Sequence, residues 1–473
     1  MLHARSPHRP RPRCARRSPR PSLRIAQAAA ALLLALGLLT ACGDAPPVDE
    51  RPFPGPIIVF DIDTLRADHL ATYGYHRSTS PRINVLASES TRFEWAFSQA
   101  PNTGPSHAST FTSLYPSTHG VTYNGARLPD AATTLAEVLT EAGYRTAAFV
   151  DGGMMLPDFN IDQGFDTYVV NDWGGLYTAG PQILDWLHEH ADEARFFLWI
   201  HTYDVHADYA APEPFREHFT GGITPTPGFE PTAPALEAIR KSHFTPHPRQ
   251  LSANDLAFTR ARYDGCIRYV DAWIGRFLDA MEPRGLLDRA TIVLMSDHGE
   301  EFQEHGSLQH EKLYATVTRI PLLIRPPGGM APRVVPQVVR AIDLMPTLLD
   351  GAGLAAPEGM QGRSLLPLLR GETLRELPAL SETTDFGHRR ALTWNDRRLF
   401  VALENDGIEL YDFRRDPLEQ QNLASVEPAR VAELVPIIQR WQDDVDRRGT
   451  PATDAPVLDD EALEQLRALG YVD

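Results

Sequence analysis

Short apolar runs separated by longer amphipathic stretches set the rhythm of this chain. The segments at 57–60, 146–150, 196–200, 291–295 and 321–324 are apolar almost throughout and rich in β-branched or aromatic residues. Runs of that length without polar alternation predict strands buried on both faces. Between them, around 82–90, 131–143, 262–283 and 342–353, apolar positions recur at helical spacing. Strand and helix therefore alternate, which predicts an α/β fold: a central, mostly parallel sheet sandwiched by helices. No internal repeat interrupts the pattern. The segment 220–250, rich in Pro, Thr and Gly, reads as a surface excursion near the site. Beyond about residue 375 the pattern changes to strand-like pieces around 390–413 and a helix around 427–447. This predicts a main domain over 56–375, a smaller C-terminal α+β subdomain over 376–449 and a tail over 450–473.

The N-terminus departs from this rhythm. An arginine-rich stretch ends at Arg24, and the apolar run at 28–39 follows. That run is too short to span a bilayer and suits the core of a signal peptide, expected over 1–41. It closes on Leu39-Thr40-Ala41-Cys42, which resembles the lipobox of bacterial lipoproteins, in which the cysteine is lipidated. Cys42 is therefore expected to carry the anchor, residues 42–55 to form a tether, and the protein to sit on the periplasmic or outer face of the cell envelope.

Charge changes the picture next. The formal net charge is −17, yet residues 1–41 contribute eight arginines and no acid, so the remainder stands near −25. A chain this acidic lacks the basic footprint of nucleic-acid binding. Of three cysteines, Cys14 falls in the signal peptide and Cys42 is the lipidation site. Cys266 is left without a partner, among Ile267, Val270 and Ile274 at helical spacing, and is expected to be a buried structural thiol.

Candidate chemistry collects where the strands end. After 57–60 come Asp61 and Asp63; after 196–200 come His201, Asp204 and His206; after 291–295 come Asp297 and His298. Ligands of open α/β sheets bind beyond the carboxyl ends of the strands, so three strand ends deliver carboxylates and imidazoles to one rim. Mixed oxygen and imidazole donors suit a divalent cation of the Mn, Zn or Mg type. Asp61 and Asp63 are two apart and share a face of an extended strand, so either could be the ligand. The stretch PNTGPSHASTFTSLYP at 101–116 adds a nucleophile candidate. Pro105 suits the first turn of a helix, predicted over 106–114, and places Thr103 and Gly104 at its mouth. A helix N-terminus favours a tetrahedral oxyanion, and a hydroxyl there beside a metal could attack phosphorus or sulfur. Without a metal cluster nearby, Thr103 would be read as an ordinary helix cap.

These motifs together resemble the sulfatase family of the alkaline phosphatase superfamily. DTLRADHL at 63–70, YGY at 73–75, PSHAS at 105–109, YPSTHG at 115–120, SDHGE at 296–300 and DLMPT at 343–347 carry the likeness. It continues through QGRSL at 361–365 and ELYDFRRDP at 409–417, in the family's order. The resemblance implies the alkaline-phosphatase-like version of the α/β fold, and Asp63, Thr103, Asp297 and His298 around a divalent metal (Mn, Zn, Mg or Ca, with Mn or Zn favoured). It implies Thr103 as nucleophile and His206 as a leaving-group histidine. Asn124, Lys312, its close competitor His310, and His107 are the expected substrate-binding set. Departures from the family pattern steer the expected activity. Sulfatases carry Cys or Ser at position 103, which is oxidised to formylglycine, and threonine is not a substrate for that conversion. His107 replaces the arginine usual four residues after the nucleophile, Thr64 replaces the second aspartate of a pair, and VDGGM at 150–154 replaces a Lys-x-His segment. The expected function is thus metal-dependent cleavage of an anionic phosphate or sulfate ester through threonine, with phosphodiester chemistry favoured. The alternatives are a sulfuric ester hydrolase and an inactive, surface-tethered binding protein. The acidic cluster argues against the last, since unpaired buried acids are costly without a role.

Overall fold

The run Ile57–Ile62 forms strand β1, and all six residues are buried. Its side chains alternate between two apolar clusters: Ile58, Phe60 and Ile62 join one, Ile57 and Val59 the other. A strand that is apolar on both sides needs cover on both sides. In the computed structural model the sheet contains β1, β2 (Thr91–Phe97), β3 (Arg145–Val150), β4 (Thr167–Val170), β5 (Phe196–Thr202) and β6 (Thr291–Met295). The short hairpin of β7 (Glu301–Phe302) and β8 (Leu308–Gln309) lies outside it, and β9 (Arg319–Ile320), β10 (Leu322–Arg325) and β11 (Arg333–Arg340) complete it. The order is β11-β2-β10-β6-β1-β5-β3-β4, with β9 against β2. The centre is parallel: β1 pairs with β5 and β6, and β3 with β4 and β5. β10 runs antiparallel to its neighbours β6 and β2, so the sheet is mixed toward one edge.

The structure describes residues 51–450 apart from 172–173, 244, 246, 385–386, 388 and 404–406, together with 455, 456, 458 and 463. The expected signal peptide, the lipidation site Cys42, most of the tether and nearly all of the tail lie outside the described residues.

One face of the sheet is covered by the helices Gly175–His190 and Ala253–Met281, whose Ile183, Trp273 and Phe277 pack with Phe60 and Leu198. Cys266 is fully buried in that layer, and burial pushes its thiol up to about 12, as suits a structural residue. On the other face the helices Thr103–Thr112, Leu135–Glu141 and Leu344–Gly351 bring Phe111, Leu139 and Leu348 against Val59 and Trp199.

The C-terminal region is an antiparallel sheet of β12 (Ala379–Thr383), β13 (Arg389–Trp394), β14 (Arg397–Ala402) and β15 (Ile408–Tyr411). Helix Pro428–Arg448 packs Leu434 and Ile438 on its Leu392, Leu399 and Leu410. It is joined closely to the main sheet: Ser381 Oγ donates to Ser98 O at 2.6 Å, and Glu382 N to Gln99 O at 2.9 Å. The segment 220–250 is more ordered than its composition predicts. Thr232 caps a helix over Ala233–Ser242 by accepting from Ala235 N, and Leu236 and Ile239 turn inward.

Candidate functional site

Parallel register sets the site. Asp61 lies opposite both His201 of β5 and Met295 of β6, so the carboxyl ends of the three strands are level. Asp63 follows β1 directly, Asp297 and His298 follow β6 after Ser296, and all three are buried. The chain turns sharply after Asp63. Thr64 holds a left-handed backbone at φ 56°, a conformation costly for a β-branched residue. Tyr263 OH donates to Thr64 O at 2.7 Å and accepts from Arg66 N at 2.8 Å, fixing the turn. Within the same motif, Arg66 pairs with Asp68 and Glu304, and His69 with Asp264, so these residues brace the loop.

Helix Thr103–Thr112 meets this rim end-on, and all ten of its residues are buried. It begins three residues earlier than predicted, which makes Asn102 the cap residue and Thr103 the first helical one. Thr103 Oγ1 donates to Asp63 Oδ2 at 3.1 Å and lies 3.4 Å from His298 Nε2. Ser106 Oγ donates to Asp297 O at 2.7 Å and ties the helix to the loop after β6. At the helix mouth Asn124 Oδ1 accepts from Gly104 N at 3.0 Å.

Asp63, Asp297 and His298 each offer a ligand atom within 4.8 Å of the others. Asp63 Oδ1 and Asp297 Oδ2 are buried without a hydrogen-bond partner, a cost that a cation would remove. Burial and then the Asp297 charge push Asp63 well above the usual carboxylate range. Burial also opposes ionisation of Asp297, but His298, His107 and His201 outweigh it and hold that group down at about 2. Burial holds His298 at about 4, hence neutral. Its Nδ1 stands 3.0 Å from Gly299 O, which can only accept, so Nε2 presents a lone pair toward Thr103. Gly299 permits this arrangement, because a Cβ there would collide with the Thr316 carbonyl. Two carboxylates and a neutral imidazole whose other nitrogen is engaged by a backbone carbonyl fit a divalent metal.

Not every expected residue faces the same space. His107 lies one helical turn beyond Thr103 and is fully buried behind it. Its Nδ1 donates to Thr103 O at 2.8 Å and its Nε2 stands 2.7 Å from Asp61 Oδ2. Burial works against its charge, yet Asp61 and Asp297 raise its affinity for the proton. With both nitrogens engaged by the protein, His107 has none for a substrate, contrary to its expected grouping with the substrate-binding residues. The i, i+4 geometry of the helix turns it back under Thr103. Lys312 is likewise directed elsewhere: Nζ donates to His305 O at 2.7 Å, and the side chain lines a separate cavity with Arg389 and Glu409. Its competitor His310 does reach the cluster, with ring centroids 4.5 Å from His298 and 5.2 Å from His206. His206 donates Nδ1–H to Ala207 O at 2.8 Å, and burial holds it at about 4.

Two residues without an expected role also stand at the site. His201 is buried with no hydrogen-bond partner for either ring nitrogen, 3.5 Å from Asp63 Oδ2 and packed edge-on to His107. Its place at the end of β5 is visible in the sequence, but the rings beside it are not. Glu300, raised to about 7 by burial, accepts from Tyr209 OH at 2.9 Å and stands 3.3 Å from His310 Nδ1.

Comparison with known proteins gives the lineage of the chain. The family model described as Sulfatase matches residues 57–354, and one described as N-sulphoglucosamine sulphohydrolase, C-terminal, matches 303–440. An arylsulfatase of Clostridium perfringens is 24% identical over 78% of this chain and 90% of its own. Phosphonate monoester hydrolase of Agrobacterium radiobacter superposes with a TM-score of 0.68 at 21% identity, covering 83% of this chain and 96% of that one. A protein solved in complex with its substrate D-glucosamine-2-N,6-O-disulfate superposes with a TM-score of 0.69 at 21% identity, covering 84% and 98%. At these identities the two superpositions establish the shared fold.

Proposed function

The chain belongs to the sulfatase family, and from that premise we propose that it is a metal-dependent ester hydrolase using unmodified Thr103 to attack phosphorus, with phosphodiesters as its preferred substrates. The observation that carries this reading is Thr103 Oγ1 at the first position of a buried helix, 3.1 Å from Asp63 and 3.4 Å from His298. A threonine there keeps its hydroxyl, so the chemistry is direct displacement.

Asp63, Asp297, His298 and the Thr103 hydroxyl would hold the cation. A divalent ion so bound supplies positive charge that favours the Thr103 alkoxide and the anionic ester. Thr103 Oγ gives up its proton to solvent and forms the new bond to phosphorus as the bond to the leaving alcohol oxygen breaks; that oxygen takes a proton from His206, protonated once the anionic substrate is bound, and Thr103 is left esterified to the phosphoryl group and its retained alcohol. Water then attacks phosphorus, returning a proton to His206, and the Thr103 oxygen departs and is reprotonated from solvent. Asn124, oriented by Gly104 N, places its NH₂ group at the helix mouth for a nonbridging oxygen, where the helix N-terminus also favours negative charge. His206 is the group for the leaving oxygen. It is neutral in the resting protein, and an anionic substrate beside it raises its affinity for a proton. His310 takes the substrate-facing position proposed for a basic residue. Attachment of Cys42 to a membrane through lipid belongs to the same proposal and places the site in the aqueous phase of the cell envelope.

A panel of bis-p-nitrophenyl phosphate, p-nitrophenyl phosphate, a phenyl phosphonate ester and p-nitrophenyl sulfate, each assayed with Mn, Zn, Mg and Ca, tests this reading. The phosphodiester with Mn or Zn is expected to give the highest kcat/KM. A profile led by the sulfate ester would assign a sulfuric ester hydrolase instead.

A further inference from the structure

One buried imidazole at the site has no task in the reaction above. Phe197 and Trp199 of β5 share a cluster with Ile57 and Val59 of β1 and with Phe111 of helix Thr103–Thr112. Alternation along the strands then directs His201 to the same face as Asp61 and Asp63, which is the face this helix covers. His201 is 2% exposed, and its ring is held edge-on to His107, with centroids 5.0 Å apart, and to Tyr203, at 4.8 Å. Neither ring nitrogen has a hydrogen-bond partner among the described residues. Burying an imidazole in this way is costly, and packing does not call for it, since an apolar ring would fill the same space.

A polar atom does stand close. Asp63 Oδ2 is 3.5 Å from His201 Nε2, about half an ångström longer than an ordinary hydrogen bond. His201 is outside the set of Asp63, Asp297 and His298, whose ligand atoms lie within 4.8 Å of one another. It therefore backs Asp63 and does not join the ligands. The two oxygens of Asp63 differ. Oδ1 is buried without a partner, whereas Oδ2 accepts from Thr103 Oγ1 at 3.1 Å. Oδ1 is thus the atom left for a cation, and Oδ2 is the one the protein holds. The reaction removes that hold: once Thr103 Oγ has given up its proton and bonded to phosphorus, it has no hydrogen to donate to Oδ2.

We propose that His201 is a positioning residue for Asp63: its Nε2–H closes on Oδ2 when Thr103 no longer donates, and Oδ1 stays directed at the cation; this role rests on the metal-dependent reading above. An ionised carboxylate only accepts, so Nε2 is the donating nitrogen. His201 keeps its proton throughout and makes no bond to the cation or to phosphorus. Its work is to hold a ligating carboxylate from behind, as outer partners of metal ligands do. The movement required is about half an ångström.

The test is a double-mutant cycle read in metal affinity and not in turnover. Zinc binding to metal-stripped, full-length protein is measured by competition with a chromophoric chelator for the wild type, His201→Phe, Thr103→Ala and the double variant. With Thr103 present, His201→Phe is expected to weaken zinc binding about twofold or less. Once Thr103→Ala has removed the first donor, the same substitution should weaken it roughly tenfold or more. His201→Gln, which keeps an N–H donor, should restore most of that affinity in the Thr103→Ala background. Equal losses in both backgrounds would overturn the role, because a ring that only fills space has no coupling to the Thr103 hydroxyl. A Gln variant as weak as the Phe variant would overturn it too. His201→Leu repeats the cycle if the Phe variant does not fold. A wild type that takes up neither zinc nor manganese would instead defeat the metal-dependent reading, and this role with it.

Discussion

Whether Thr103 caps a helix or performs chemistry is decided by its neighbours. Asn102 holds the cap position, while the Thr103 hydroxyl points at Asp63 and His298. Thr103→Ala is therefore expected to lower turnover roughly 10³-fold or more while losing less metal than removal of Asp297 or His298, since the three charged or imidazole ligands remain, and Thr103→Ser to retain measurable activity because the attacking oxygen remains. Asp297→Asn and His298→Ala should each reduce both activity and bound metal, by assay and elemental analysis. The Asp61 carboxylate is engaged by His107, so Asp61→Asn should cost much less metal than either; equal metal loss would make Asp61 a ligand. At this scale the sequence was readable where a residue follows a strand or opens a helix, as with Thr103, Asp297 and His298, whereas spacing left Asp61 and Asp63 open and only the family resemblance pointed to Asp63, the one that the structure groups with Asp297 and His298. It was silent on direction. Nothing in the spacing says that Lys312 turns to His305 O while His310, two residues earlier, turns to the cluster. His107 was misjudged because its helical register, not its chemistry, sets where it points.

Elements that are apolar on both faces were the most legible. The runs at 57–60, 146–150, 196–200 and 291–295 fall inside β1, β3, β5 and β6. Strand β2, TRFEWAF, mixes charged residues among its aromatics, and β11 contains Pro336, so neither has that signature. Helix Gly175–His190 was hidden by its glycines and Pro181. Gly180 is required there by contact, since a Cβ would collide with Trp273. The turn after helix Thr103–Thr112 carries a pH signature. His119 is buried, accepts from Val121 N through Nδ1 at 3.1 Å, and therefore donates Nε2–H to Ser109 Oγ at 3.0 Å. Burial holds it down at about 3, against an ordinary 6.5. The unfolded chain then binds a proton that the folded one excludes, so this stability is complete above about pH 6.5 and is lost as pH falls. The loss amounts to about 2 kcal/mol between pH 7 and 5. Denaturant titrations should show His119→Gln losing less stability over that interval than the wild type; parallel pH profiles would exclude His119 as the cause.

Across the whole molecule, the alternation of strand and helix predicts the layered sheet, and the order of motifs predicts the family. The antiparallel setting of β10 and the tight joining of the C-terminal sheet are not visible, because both depend on contacts between residues far apart in sequence. No helix among the described residues is long and apolar enough to cross a membrane. The proposed attachment concerns Cys42, and fractionation of cells expressing Cys42→Ala should move the protein from the membrane to the soluble fraction. Unchanged membrane association would exclude lipid on that residue. The central claim is that the Thr103 oxygen bonds to phosphorus, and mass spectrometry of protein quenched during turnover of a slow phosphodiester tests it most directly. The peptide containing Thr103 is predicted to gain a phosphoryl group still bearing the retained alcohol, with no oxidised form of residue 103. An unmodified Thr103 peptide, with the adduct on another residue, would contradict the account.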